Sequence, residues 1–275
     1  MRAPRPQVSE RRACRVLGVA RSGLHAPPHR PRRAPERDEE LERRLAGLIQ
    51  RHPTVGYRRL CVMLRRAGMP VNRKAVYRPL QRRGWMVHQR EATPRPRAQG
   101  RRSRAKASHA RWAMDLTHID CGADGWGHLA VVIDCHDREV IGDEFALRGR
   151  AQEAERAPEQ ACLARLGTLR PVGPMPVLRS DNGLIFQSKR FRAACREYRL
   201  AQEYITPYTP EQNGLVERWF RSLKEECVWV NRFADFAAAQ RAIAAWIAWY
   251  NAERPHQALG YLSPAAFRAT LAPAA

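Results

Sequence analysis

The sequence predicts a mixed α/β fold in which a five-stranded mixed sheet with flanking helices is preceded by small all-α modules. Three observations carry that expectation. Charge is divided unequally: residues 1–110 hold 29 Lys and Arg against 7 Asp and Glu, whereas residues 111–275 hold 20 of each, so the net charge of +22 lies in the first part. Up to residue 90 the apolar residues recur with the 3.6-residue helical period; after residue 111 they fall in short strand-like runs broken by Gly and Asp turns. An apolar fraction of 44% over 275 residues suits one sizeable core with smaller modules attached.

In chain order, residues 1–35 read as a short helix-turn-helix-like segment. Ser9 can cap a helix through Val16 and Leu17, Gly18 makes the turn, and a second helix starts near Arg21 or Ser22 before Pro27-Pro28 stops it. A better-formed helix-turn-helix occupies residues 36–90. Leu41, Leu45, Leu48 and Ile49 fall at i, i+4, i+7 and i+8, one face of a helix ended by His52-Pro53. Residues 57–67 turn Leu60, Met63 and Leu64 inward and stop at Gly68, and Asn72 caps a third helix carrying Val76 and Leu80. Arg73, Lys74 and Arg78 then point outward, as in a helix laid into a DNA groove. Pro79 inside that helix is expected to kink it or end it early.

Residues 91–107, EATPRPRAQGRRSRAKA, mix prolines and small residues with basic ones and form a linker that touches nucleic-acid backbone. A basic module joined to a neutral domain is the composition of a polyanion-binding arm on a working domain. Only four of the 49 basic residues are lysine, which genome composition can explain; it does not explain why the excess stops at residue 111.

The domain at residues 108–270 opens with three strand-like runs, 111–119, 128–135 and 138–146, an antiparallel meander. A helix over 152–166 follows, interrupted by Pro158, then a strand at 176–178, a helix over 188–198, a strand at 203–205, and helices over 210–227 and 235–250. Three antiparallel strands followed by alternating helix and strand imply a mixed sheet.

Several classes are excluded. No uncharged stretch exceeds 12 residues, short of the roughly 18 apolar residues of a membrane-spanning helix. The amino terminus is charged at Arg2, Arg5, Glu10, Arg11 and Arg12, unlike a secretory signal, so a cytoplasmic location is expected. Seven cysteines stand singly without a Cys-x-x-Cys, as packed thiols do, and His25 with His29 lacks the paired cysteines of a zinc site.

Three acids stand out by position. Asp115 lies between Met114 and Leu116 in the first, central strand, where an unpaired charge is costly. Asp181 ends the strand after Leu178-Arg179-Ser180 and precedes the Asn182-Gly183 turn. Glu217 sits two turns into a helix opened by Pro210. Carboxylates from a central strand, a neighbouring strand end and a helix crossing that edge can converge on divalent cations, and an oxygen-only set selects Mg²⁺ or Mn²⁺. Taken singly, each also reads as a satisfied core acid, a turn residue and a solvated helix face. Asp120, Asp124, Asp134 and Asp137 read as turn or strand-end residues.

The blocks WAMDLTHI, LRSDNGLIF and TPYTPEQNGLVERWFRSLKEECVW resemble the signature blocks of the integrase core of DDE transposases, the retroviral-integrase-like branch of the ribonuclease-H-like fold. The 35 residues between Asp181 and Glu217 match the spacing of that branch. RRACRVLGVARSG, HPTVGYRRL, GMPVNRKAVYR and the tail WYNAERPHQALGYLSP are similar to the second-reading-frame product of the insertion-sequence-three family. Pro79, Pro158 and the aromatic-free SGLHAPPHR depart from that pattern, and the His/Cys zinc module of retroviral integrases is missing, which puts the kinship with the bacterial branch.

The resemblance implies an α/β (α+β) ribonuclease-H-like catalytic core in which Asp115, Asp181 and Glu217 bind two Mg²⁺ or Mn²⁺ ions for DNA cleavage and strand transfer. Arg221 and Lys224, at i+4 and i+7 from Glu217, then hold phosphates of the DNA end, and Asn213 and Gly214 match the family's Asn-Gly at the helix start, with Asn213 counted among the DNA contacts together with Arg73, Lys74 and Arg78. It further implies DNA as partner, both element ends and target, a fusion with an upstream reading-frame product made by frameshifting, a homo-oligomer on DNA and a nucleoid-associated bacterial location. Two rival readings are a nuclease of the same fold that cuts without joining, and a non-enzymatic DNA-binding regulator or inactive copy.

Overall fold

The computed structural model describes residues 9–25, 38–87, 105–206 and 209–271. The chain divides into two compact units, Met1–Glu39 and Glu40–Ala275. In the first, α1 (Glu10–Leu17) ends at Gly18, whose φ of 65° brings the Gly18 and Val19 amides onto the Cys14 carbonyl, and α2 (Arg21–Leu24) follows. Ser9 stands at the cap position, but its hydroxyl bonds nothing in the helix; its carbonyl accepts from Arg12 and Ala13. The expected Pro27-Pro28 stop lies outside the described residues.

The second unit begins with a three-helix module, α3 (Glu39–Arg51), α4 (Tyr57–Arg66) and α5 (Arg73–Arg82). Leu41, Leu45, Leu60, Leu64, Val76 and Leu80 form its core with Val55 and Cys61. Asn72 Oδ1 accepts the Ala75 amide at 2.8 Å, capping α5 as expected. The helix nevertheless runs past Pro79 to Arg82. The ring is buried beside Val76 and Leu80, so packing offsets the one backbone bond it denies the Ala75 carbonyl. Arg83 holds the buried Glu42 carboxylate at 2.7 Å, and Arg82 joins it, tying α3 to the end of α5.

The sheet contains β1 (Arg111–Asp120), β2 (Trp126–Asp134), β3 (Val140–Ala146), β4 (Val177–Ser180) and β5 (Ala201–Tyr204) in the order β3-β2-β1-β4-β5. β1, β2 and β3 form the antiparallel meander; β4 and β5 run parallel to β1, which is central. Successive β1 side chains alternate between two cores. Trp112 and Met114 enter the one built with α6 (Ala151–Ala154), α7 (Arg156–Leu166), α8 (Leu184–Gln187) and α9 (Lys189–Glu197). Ala113 and Ile119 enter the other, under α10 (Gly214–Leu223) and α11 (Phe236–Ala252). A last helix, α12 (Pro264–Ala269), closes the described chain.

The helix expected over 152–166 is two helices broken at Glu155, and Pro158 is the third residue of α7, where its missing amide has no helical partner to lose. Asp120, Asp124, Asp134 and Asp137 do build turns: Asp134 accepts the His109 and His136 amides, and Asp124 accepts the Phe236 amide. Among the described residues no helix is long and apolar enough to cross a membrane.

Candidate catalytic site

Asp115 lies mid-strand in β1, opposite Val131 of β2, on the face that looks toward α10. Asp181 is the first residue after β4; its Oδ1 accepts the Gly183 amide at 2.9 Å, and the Asn182 amide group donates to the Ile205 carbonyl at 2.9 Å. That pair of bonds fixes the turn against the segment leaving β5. Residues Pro210–Gln212 form a separate 3₁₀ turn, so the helix expected from Pro210 begins at Gly214 and Glu217 lies in its first turn rather than two turns in. There the positive end of the helix dipole favours its charge.

Two residues whose positioning role the sequence did not disclose bring these elements together. Asn213, 2% exposed, donates from Nδ2 to the Met114 carbonyl at 3.3 Å, pinning the start of α10 beside Asp115. Asn213, expected among the DNA contacts, is thus buried against the strand in this structure. Arg179, 6% exposed and two residues before Asp181, grips Glu203 of β5 through two bonds of 3.1 Å and donates to the Gln212 carbonyl at 2.8 Å. The strand end holding Asp181 is thereby tied to the turn that launches Glu217. The available signal was an arginine inside an apolar strand, which must find partners.

Burial first, and then the nearby Asp181 and Glu217 carboxylates, push the Asp115 carboxyl up to about 7, against the Leu116 amide and the Lys224 ammonium, which lower it. The structure thus brings the three acids and Lys224 within electrostatic reach of one another. Arg221 is exposed and paired with Glu225 at 2.9 Å, so a salt ladder does occupy this face. Lys74 and Arg78 are exposed on α5, and Arg73 lies over the Tyr261 ring, its guanidinium 5.8 Å from the centroid. Among the described residues no three His, Cys, Asp or Glu side chains are gathered tightly enough to enclose an ion as they stand. The donor set nonetheless suits a hard divalent cation: carboxylates alone, one of them with its proton affinity raised by burial and by the other two.

The integrase core domain is matched by two family models, over residues 105–210 and 198–264, and an HTH-like domain model matches residues 36–92. An insertion element IS476 protein of Xanthomonas euvesicatoria, 39.2 kDa, is 31% identical over 266 residues, covering 95% of this chain and 73% of that protein. The transposase InsD for insertion element IS2 of Escherichia coli is 29% identical over 264 residues, covering 91% and 87%. Among solved structures, the catalytic core of BIV integrase aligns with 59% of this chain and 97% of its own at 20% identity and a TM-score of 0.42. The HTLV-2 integrase core in complex with magnesium aligns with 60% and 99% at 20% identity and a TM-score of 0.43.

A ribonuclease-H-like sheet of this topology, in a chain matched as integrase core and akin to insertion-element transposases, defines a polynucleotidyl transferase acting on DNA. The chain belongs to the bacterial insertion-element transposases, in the insertion-sequence-three family of DDE enzymes. Its function is DNA transposition.

Proposed function

We propose that Asp115, Asp181 and Glu217 are the metal-binding carboxylates with which this chain cleaves the ends of its element and joins a DNA 3′-hydroxyl to target DNA. The observation that carries the reading is Asp115: a half-buried carboxyl whose proton affinity is raised by burial and by the other two acids, and which accepts a hydrogen bond from the adjacent Leu116 amide. A carboxyl so placed gains most from a cation. Two Mg²⁺ or Mn²⁺ ions there would activate the attacking oxygen and stabilise the leaving 3′-oxygen of an in-line displacement.

The chain's own residues do the rest. Asn213 and Arg179 hold the three acids in register; Lys224 and Arg221 take phosphates of the DNA end, Arg221 exchanging Glu225 for a phosphate. Attack forms one phosphorus–oxygen bond as the opposite one breaks, so no covalent protein intermediate arises. Residues 36–90 read DNA through Arg73, Lys74 and Arg78 of α5, residues 91–107 link that module to the catalytic domain at 108–270, and residues 1–35 add a short helical segment. The working form is a homo-oligomer on DNA, fused to or acting with an upstream reading-frame product, in the bacterial cytoplasm at the nucleoid.

The test is an assay of the purified chain, with and without its upstream partner, on labelled duplex ends in Mg²⁺, comparing wild type with Glu217→Ala. Joined products that vanish in the variant support the reading. Cleavage without joining would replace it with a nuclease, and binding without Glu217-dependent chemistry with a DNA-binding regulator.

A further inference from the structure

A buried charge cluster outside the catalytic edge joins the DNA-reading module to the catalytic domain. Five residues after α10 form a π turn, Lys224–Val228, and its Glu226 accepts Arg254 Nε and Nη2, each at 2.7 Å, and Arg59 Nη1 at 2.8 Å. The carboxylate side chain is 7% exposed and Arg254 9%. Arg254 also lies over the Tyr250 ring, and its Nη1 contacts His256 Nε2 at 3.1 Å. Arg59 comes from α4 of the three-helix module, 167 positions away. Beside this socket Arg66 of α4 donates to the carbonyls of Glu253 at 2.7 Å and Tyr261 at 2.6 Å, and His52 stacks on Trp249 at 4.5 Å between ring centroids.

A carboxylate that deeply buried is stable only while its guanidinium partners stay in place, and losing one leaves an uncompensated charge. Such a contact is directional: unlike an apolar patch it does not tolerate a slide, so it specifies a single docking register. Glu226 also lies on the same continuous helix as Glu217, nine residues on, about 13 Å along the axis. That rod is clamped to α11, because Trp219 packs edge-on against Trp246 at 5.6 Å and Tyr250 at 5.9 Å. One stiff element therefore presents a catalytic acid at its beginning and the docking socket at its end, and π turns recur at functional positions in helices.

We infer that the Glu226 socket locks the DNA-reading module to the catalytic helix, so that the chain cuts DNA at a fixed distance from the sequence that module reads. The inference rests on the roles proposed above for α5 and Glu217, but its first test needs neither. A specific protease site is inserted between residues 91 and 107 of the full chain, and the cut protein is run on a sizing column. The two pieces of wild type co-elute, whereas Arg59→Met weakens their association at least tenfold. Arg66→Ala, which leaves the buried carboxylate paired, weakens it in the same direction and serves if the first variant folds poorly.

The uncut variants are then mapped on end-labelled DNA. Binding stays within twofold of wild type while cleavage spreads from one phosphodiester to its neighbours. Wild-type pieces that separate, or variants that still cut the single wild-type bond, overturn the inference. If the catalytic reading were the one at fault, the pieces would still co-elute while no cleavage depended on Glu217.

Discussion

At the scale of single residues the carboxyl proposed to be catalytic is a destabilising feature of the metal-free protein. Asp115 has a folded-state affinity for its proton near pH 7 against an ordinary value of 3.8, so its favourable contribution is complete below about pH 4 and is lost as pH rises to 7. Replacing the charge without changing shape removes that loss. Asp115→Asn is expected to raise the melting temperature of the metal-free chain at pH 7 by ~2–4 °C, about 1 kcal/mol, and to abolish strand transfer. Saturating Mg²⁺ should raise the melting temperature of wild type and leave the variant where it was. Scanning calorimetry with and without Mg²⁺ checks both, and a variant melting below wild type in the absence of metal would refute the account. His256 behaves oppositely: burial, then Arg254, holds it down to about 3, so it stays neutral in the socket and weakens the fold as pH drops below its unfolded value.

Between elements, the site depends on side chains that bridge parts far apart in sequence. Arg179→Met leaves Glu203 without its bidentate partner and frees the Gln212 carbonyl, so the strand end with Asp181 and the start of α10 are no longer tied. The expected result is a fall in kcat of about tenfold or more with KM for DNA changed little, partly restored by Arg179→Lys; steady-state kinetics on a pre-cleaved end separates the two. Gly142→Ala tests the fold instead. A Cβ there would stand 2.0 Å from the Ala157 carbonyl, so β3 and α7 must part, at a cost of roughly 2–4 kcal/mol visible as a lower denaturant midpoint. This is also the scale at which sequence reading reached its limit. The meander was legible because alternation along β1–β3 is a local signal, and Asp115 because a charge between Met114 and Leu116 breaks that signal. Asn213 and Arg179 were not legible in their roles, since whether a polar side chain faces a carbonyl 33 or 99 positions away is decided by topology rather than pattern. The same holds for Glu226, whose partner Arg59 lies 167 positions away. Pro79 was over-read: its propensity cost is local, whereas the packing that offsets it is tertiary.

Across the whole molecule the excess of positive charge is a property of one part of the chain: all of the +22 falls before residue 111. Long-range attraction therefore brings DNA to the basic part of the chain first, while the neutral remainder engages it second. Affinity should fall steeply with salt, and the slope reports how many phosphates the module neutralises. Lys74→Ala and Arg78→Ala, both exposed on α5, are each expected to reduce the slope of log affinity against log salt by about 1 and to weaken binding alike across sequences if they contact phosphate, or to relax preference at one base pair if they reach a base edge. Arg73→Ala should reduce the slope by less, because its guanidinium lies over Tyr261 of the catalytic domain and must leave that ring to reach DNA. Tyr261→Ala then becomes the informative partner. If Arg73 is held back by the ring, the second substitution raises affinity and restores a full unit of slope to Arg73, whereas an unchanged slope would mean that the arginine serves the contact between modules and not the DNA. Fluorescence anisotropy titrations of wild type, Arg73→Ala, Tyr261→Ala and the double variant over a range of salt concentrations distinguish the two.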